Sequence, residues 1–261
     1  MLHDTVTKIK PITPSLSSTY EELKRQNTTP NTQFIMAMFD RLACRYDLFN
    51  HLTSMGMAAI WRKKTLQALA PGMSVLDLGC GTGDLTLGAV RRVGATGSVT
   101  GIDFSRNMLE MAARRYEKIK NINTAPAHFV AMRAEELPLK SEAFDAVVSG
   151  FVLRNIYENI DVILKGVRGS LIDGGMIRFL DITEPSSGII RNLWSFYMQS
   201  ATAFYGRILF GKDYPVSYLV DSAKRFLKPG AFTEKLSEHG FKEIEKRSFL
   251  FGIITLYSAR K

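Results

Sequence analysis

Val75-Leu-Asp-Leu-Gly-Cys-Gly-Thr-Gly-Asp84 runs an apolar segment into a glycine-rich turn, and Gly101-Ile-Asp-Phe-Ser105 follows about twenty residues later. Val75, Leu76 and Leu78 suit a strand buried on both faces, and Gly79 and Gly81 let the backbone turn tightly with no Cβ to block a ligand. Gly83 opens a helix. Dinucleotide folds space their glycines G-x-G-x-x-G, which would place glycine at position 84; here Gly79, Gly81 and Gly83 form G-x-G-x-G and position 84 is Asp. The spacing points away from NAD.

A nucleoside ligand without phosphate fits the turn better. S-adenosylmethionine needs no phosphate cradle, and the bare backbone of residues 79–83 can approach its amino-acid tail and sugar. Asp103 ends the second strand, Ser98 to Asp103, where a carboxylate can accept both ribose hydroxyls. A turn serving only tight strand-to-helix packing would account for either motif alone, but not for both in register.

Outward from this unit, strands and helices alternate. The pattern predicts helices over Asn31 to Asn50 and Ala58 to Leu69, a strand from Met73 to Leu78, a helix from Asp84 to Val93, a strand to Asp103 and a helix from Arg106 to Ile119. Strands at His128 to Met132 and Phe144 to Ser149, a helix over Ile156 to Val167, and a strand at Met176 to Asp181 preceded by the turn Asp173-Gly-Gly175 complete the repeat. Such alternation implies an α/β fold with a mostly parallel sheet and helices on both faces. Past Pro185 the segment Gly188 to Phe210 is apolar nearly all round, with Arg191 and Arg207 near its ends, as in a helix that caps a greasy pocket or lies in a membrane interface. A strand pair, Phe241 to Phe249 and Gly252 to Ala259, closes the chain. The expected organisation is a flexible tail over 1–30 and a single domain over 31–261, with 31–70 as an N-terminal helical cover and 186–228 as a helical substrate cover.

Composition bounds the partners. At 261 residues and 46% hydrophobic content the chain can bury one large core. Its two cysteines, Cys44 and Cys80, have neither disulfide-framework nor zinc spacing, so no metal is expected and a reducing cytoplasm is the default. No uncharged apolar run reaches the ~18 residues of a membrane span, and Met1 to Pro30 lacks a signal-type core. The formal net charge of +9 invites a nucleic-acid reading, but the basic residues are dispersed and not interleaved with aromatics, so no nucleic acid is expected. The excess charge suits work at the inner face of an anionic membrane, where each basic residue near the surface is worth about 1 kcal/mol. A homodimer would cover the exposed part of 188–210.

Several further blocks resemble one family. Met38-Phe-Asp-Arg-Leu-Ala-Cys-Arg-Tyr-Asp-Leu-Phe-Asn50, continuing through Ser54-Met-Gly56 to Trp61-Arg62, is similar to the N-terminal signature of the ubiquinone/menaquinone biosynthesis C-methyltransferases. Ala134-Glu-Glu-Leu-Pro138, Phe144-Asp145, Leu153-Arg-Asn155, Tyr218-Leu-Val-Asp-Ser222 and Gly252 follow in that family's order, so the resemblance covers nearly all of the chain from about Phe34. It implies a Rossmann-like class I methyltransferase with a seven-stranded sheet and a reversed last strand, methylating a ring carbon of a polyprenyl quinol. Carried over by position, cofactor contacts fall on Thr82, Asp103, Ala134 and Ser149 together with the backbone of Gly79, Gly81 and Gly83. Arg133 departs from the usual Asn or Asp, and arginine offers no acceptor, so the backbone at 133 and 134 is left to meet the adenine.

The chemistry sets further requirements. A quinol carbon ortho to a hydroxyl is weakly nucleophilic until the phenol, with an intrinsic pKa near ~10, begins to ionise. Arg154, following the fourth strand at the carboxyl edge of the sheet, is the candidate for stabilising that phenolate, with a surface ion pair as its plain alternative. Asn155 is expected to orient substrate or water, or else to cap a helix. Tyr46 is expected to line the site and relay a proton or else to be a core contact, and Asp47 beside it to be functional or a helix-surface charge. Tyr218 and Ser222, one turn apart, are candidates to meet substrate oxygens. His51 is a weaker candidate base, while His3, His128 and His239 have structural explanations. The expected reaction is demethylmenaquinol to menaquinol, or methylation of the demethylated benzoquinol of ubiquinone synthesis. The rivals are another lipid or small-molecule acceptor, and a non-catalytic quinone-binding subunit.

Overall fold

The computed structural model describes residues 15–26, 30, 32–226 and 228–261. In chain order these form α1 (Leu16–Arg25), α2 (Thr32–Thr53), α3 (Met57–Thr65), β1 (Ser74–Leu78), α4 (Asp84–Val93), β2 (Ser98–Asp103), α5 (Arg106–Glu117), β3 (Ala127–Ala131) and β4 (Phe144–Gly150). They continue as α6 (Leu153–Ile156), α7 (Ile160–Ser170), β5 (Leu171–Ile182), α8 (Gly188–Phe210), α9 (Tyr218–Arg225), α10 (Pro229–Glu238), β6 (Lys242–Phe249) and β7 (Ile254–Arg260).

One seven-stranded sheet runs β3-β2-β1-β4-β5-β7-β6, with β1 to β5 parallel and β7 antiparallel to both of its neighbours. Side chains alternate across it as a period of two demands. Val75, Ala146 and Val148 enter one core with α4 and Leu66 and Leu69. Leu76, Val147, Ile177 and Phe179 enter the other with α7, α10 and Tyr257. Chain order reverses between β1 and β4, so a crevice opens at their carboxyl ends, which is where such sheets take ligands. The β6 edge carries Lys242, Glu243, Glu245, Lys246 and Arg247, charges that discourage edge pairing.

A third, aromatic core joins α1, α2, the end of α8 and α9 through Tyr20, Phe34, Phe49, Tyr214 and Tyr218. Its presence corrects the expected tail. Within 1–30, where His3 and residues 1–14 and 27–29 lie outside the described residues, α1 buries Leu16 and Tyr20, and the Tyr20 hydroxyl donates to Asp221 at 3.0 Å. Apolar positions 16, 20 and 23 give this short helix one packed face.

Two other expectations shift. Asp173-Gly-Gly175 lies inside β5, because Gly174 at φ 76° absorbs the extra residues of a bulge between the pairs Phe144–Leu171 and Ala146–Met176. The helix expected over Ile156 to Val167 is divided into α6 and α7, and Gly252 belongs to a tight turn of positive-φ residues, 250–252, before β7. Among the described residues no helix is long and apolar enough to cross a membrane.

Candidate active site

The crevice is built first from the turn after β1. Gly79, Gly81 and Gly83 all take positive φ, at 69°, 53° and 90°. At Gly79 a Cβ would stand 2.7 Å from both methyls of Val152, so only glycine lets the two loops close. At Gly81 a Cβ would meet nothing within 4 Å, and its N–H donates to Asp103 Oδ2 at 2.9 Å. Gly83 differs from the expectation: it caps α4 and packs on Ala112, turned from the cleft that Gly79, Gly81 and Thr82 line.

Asp103 is nearly buried at the end of β2. Its Oδ1 accepts from Ser105 N and its Oδ2 from Gly81 N, both at 2.9 Å, which leaves each oxygen further acceptor capacity toward the cleft. Burial raises its carboxyl above the ordinary range, opposed by those backbone donors. Asp77, in the middle of the apolar run that opens the motif, is a site residue the sequence reading passed over. It lines the same cleft, its Oδ2 accepts from Thr86 Oγ1 at 2.6 Å, and its buried Oδ1 meets no donor among the described residues. A carboxylate inside an otherwise apolar strand was the available signal.

Arg133 and Ala134 line the opposite wall. The Arg133 side chain is turned outward to Glu135, its Nη2 donating to Oε1 at 3.4 Å, while its backbone N–H donates to Glu136 Oε2 at 3.0 Å. Ser149 is a correction: it is fully buried, and its hydroxyl donates to the Leu78 carbonyl at 2.7 Å, tying β4 to β1. Gly150, Phe151 and Val152 line the cleft beyond it.

Helix α2 closes the cleft from above. Tyr46 lines it and packs edge-on to Phe39 at 5.5 Å between ring centroids. Asp47 accepts from the Thr82 hydroxyl at 2.5 Å and from Arg115 Nη1 at 2.9 Å; Arg115 also donates to the Thr82 carbonyl and to Asp84, which Arg62 meets at 2.8 Å. A second tie runs from Ser105 Oγ to Asp40 at 2.5 Å. These partners are distant in sequence, so only Asp47 and Thr82 stood out there, and not as a pair. His51 lines neither the cleft nor the cavity beside it and packs against Gly56, which removes its expected role as base.

A second cavity of about 360 Å³ adjoins the cleft, and the two share Arg62 and Phe151 as a common wall. The Arg62 guanidinium stands 5.3 Å from the Phe151 ring centroid. Phe151 holds φ at 66°, a conformation non-glycine residues adopt at a cost, and one concentrated at functional sites. The rest of the cavity is mostly apolar, with Trp61, Trp194, Met198, Ile182 and Ile254 among its lining, and Arg154 lies in its wall. Arg154 is buried; its Nη1 donates to Asp181 Oδ1 at 2.9 Å and to the Phe151 carbonyl, and its backbone N–H to Asp181 Oδ2 at 3.1 Å. Burial works against its charge, but Asp181, with Tyr46 and Tyr218, outweighs that and keeps it protonated. Arg154 Nε and Trp194 Nε1 are buried without acceptors among the described residues.

Asn155 lines the cofactor-side cleft and accepts from the Tyr218 hydroxyl at 3.0 Å. Tyr218 therefore reaches the site through Asn155, and its own hydroxyl is held un-ionised by burial. Ser222 is a further correction: it is fully buried with its hydroxyl on the Leu219 carbonyl at 3.0 Å, and it lines neither cavity.

This cleft fits S-adenosylmethionine on its own chemistry. Gly81 leaves open space where a Cβ would intrude, Asp103 keeps acceptor capacity on both oxygens for paired hydroxyls, and the undonated Asp77 Oδ1 suits a cation.

Comparison with known proteins agrees. A model of the ubiE/COQ5 methyltransferase family matches residues 26–261. The demethylmenaquinone methyltransferase of Staphylococcus aureus (strain MRSA252) is 30% identical over 233 residues, which is 88% of this chain and 94% of that protein. A SAM-dependent methyltransferase from Thermotoga maritima superposes with a TM-score of 0.59 at 16% identity, over 87% of this chain and 99% of that one. The [4+2]-cyclase SpnF superposes with a TM-score of 0.61 at 17% identity, over 89% and 97%. At such identities the structural likenesses speak for the fold alone.

Proposed function

Because the chain belongs to the ubiE/COQ5 methyltransferase family and is on that ground an S-adenosylmethionine-dependent methyltransferase, we propose that it methylates a ring carbon of a polyprenylated quinol. Demethylmenaquinol, named in the curated relative, is the first candidate acceptor, and the demethylated benzoquinol of ubiquinone synthesis the second. The observation that carries this reading is the apolar cavity beside the cofactor cleft, with one buried cation, Arg154, in its wall. A greasy ring whose hydroxyl must ionise calls for apolar walls and one well-placed donor.

When bound, S-adenosylmethionine supplies an electrophilic methyl group on a sulfonium centre. Asp103 would hold the ribose hydroxyls, the turn at Gly79, Gly81 and Thr82 the amino-acid tail, and the backbone of Arg133 and Ala134 the adenine. Arg154 stabilises the developing phenolate. Asp181 and the Phe151 carbonyl hold its Nη1 in place, which leaves Nη2, the guanidinium nitrogen neither bonded among the described residues nor sealed from the cavity, as the donor for a quinol oxygen. Asn155, steadied by Tyr218, orients the acceptor at the shared wall, and Tyr46 passes the phenolic proton toward solvent. The 31–70 and 186–228 segments act as covers that keep water from the ring.

The test is methyl transfer from labelled S-adenosylmethionine to each quinol in detergent. Wild type should give methylated product, Asp103→Ala should lose cofactor affinity, and Arg154→Lys, which keeps a cation beside Asp181, should keep that affinity but lose turnover by about 10²–10³-fold. Tight cofactor binding with no product on either quinol would redirect the assignment to another acceptor or to a binding role.

A further inference from the structure

The mouth of the second cavity is ringed by side chains that water should not meet. Met55, Leu193, Tyr197 and Phe251 line the cavity and are also exposed, Met55 at 72% and Phe251 at 80%. On α8 the exposure continues along one face: Ile189, Leu193, Phe196, Phe204 and Ile208 recur at steps of three or four, or of two such steps, over about 28 Å of helix. The other face of α8 turns Trp194 and Met198 inward. Phe251 stands on a turn where Leu250, Phe251 and Gly252 all take positive φ, so the backbone is held in a costly form that leaves an aromatic ring in solvent.

Charge is distributed to match. Residues 48–76, 185–212 and 246–261 supply most of the cavity lining, and none of the chain's 25 acidic residues falls in any of these segments. They carry Lys63, Arg191, Arg207, Lys212 and Arg247 among their basic residues. An exposed apolar stripe carried on segments whose charged residues are all basic is complementary to a bilayer bearing anionic headgroups.

We propose that this face, centred on α8 and the 250–252 turn, docks on an anionic phospholipid bilayer and opens the second cavity directly to the lipid phase. What the mouth admits rests on the prenylated-acceptor reading; the docking does not. Phe251 and the α8 stripe enter the headgroup region, the basic residues meet lipid phosphates, and a lipid acceptor passes from the membrane to Arg154 without crossing water.

Co-sedimentation with phosphatidylcholine vesicles containing about 30 mol% phosphatidylglycerol, against phosphatidylcholine alone, tests it. Wild type should bind the anionic vesicles, and added salt should weaken binding. Ile189→Asp with Phe196→Asp, both outside either cavity, should bind about tenfold more weakly. The same variant should keep wild-type transfer to a detergent-dispersed quinol. Lys63→Glu with Arg207→Glu should abolish the preference for anionic lipid while retaining the stripe. Absence of wild-type binding, or variants that bind as wild type does, would overturn the proposal. So would a solution dimer that Ile189→Asp with Phe196→Asp dissociates while vesicle binding persists, since the face would then be a subunit interface. Vesicle binding that depends on these residues in a protein inactive on both quinols would uphold the docking surface and remove only the acceptor.

Discussion

The Asp77 carboxyl lies buried in β1 with Oδ2 on the Thr86 hydroxyl and Oδ1 on no donor, and burial pushes it up to about 7. A carboxyl whose folded pKa stands above its unfolded value stabilises the fold while protonated. That contribution is whole below about pH 4 and is lost as pH rises through about 7. The ligand-free protein should therefore be less stable at pH 8 than at pH 6 on this group's account, and a cation in the cleft should restore what ionisation removes. Calorimetric titration should show S-adenosylmethionine binding more tightly as pH rises from 6 to 8, by at most about tenfold per unit, with Asp77→Asn flat and more heat-stable at pH 8. A wild-type affinity independent of pH would remove Asp77 from the cation's surroundings. Asp103 makes a second residue-scale case. Its two backbone hydrogen bonds brace the turn, and removing its acceptors in Asp103→Ala should weaken cofactor binding by about 10–100-fold in the same titration. The glycine turn and Asp103 were legible in sequence because each contact there spans about twenty residues. Asp47, Arg115, Asp84 and Arg62 form one charge network whose members come from four separate helices, and nothing local to any of them announced it.

That network is also what fastens α2 to the cleft. Its Asp47–Arg115 pair is about one third exposed, so solvent screening limits what it contributes to global stability, and Asp47→Ala should cost only about 1 kcal/mol. The local effect should be larger: hydrogen exchange in α2 should quicken while exchange in β1 and β4 stays unchanged. Unaltered α2 exchange would mean that the aromatic core, rather than the polar ties, holds the cover. For α8 the sensitive point is Gly206, where a Cβ would stand 2.2 Å from the buried Tyr214 ring. Gly206→Ala should cost about 1–3 kcal/mol by overpacking and lower Tm by about 3–10 °C in a thermal melt. The limits of α8 were readable because its apolar run begins at Gly188 and stops at Gly211, which takes φ 73°. Helix α1 escaped because ten residues with few apolar positions look like a tail until Tyr20 finds Tyr218 and Asp221 nearly two hundred residues away. The β5 bulge escaped because Gly-Gly signals a turn locally, and only pairing with β4 makes it strand.

At the scale of the molecule, two bodies meet at the cleft: a sheet with a core on each face, and an aromatic cover of α1, α2, α8 and α9. The alternation of strands and helices revealed the first, whereas the second cavity exists only where three remote segments converge, so no local pattern could show it. Ties between the bodies concentrate at the cofactor turn, through Thr82 with Asp47 and Ser105 with Asp40. A ligand that orders the turn must therefore stabilise the cover as well, whereas β6 is the far edge strand of the sheet, α10 packs on it, and neither lines the cleft. S-adenosylhomocysteine at about a hundred times its Kd adds about 2.7 kcal/mol to global stability, which for a chain of this size should raise Tm by about 5–10 °C. The distribution of that gain is the sharper test. Hydrogen exchange should slow in residues 79–83 and α2 at concentrations where α10 and β6 still exchange through their own local openings at the ligand-free rate. Slowing spread evenly over all these elements would show that the cover and sheet unfold as one unit, and that the cleft is not a seam between them.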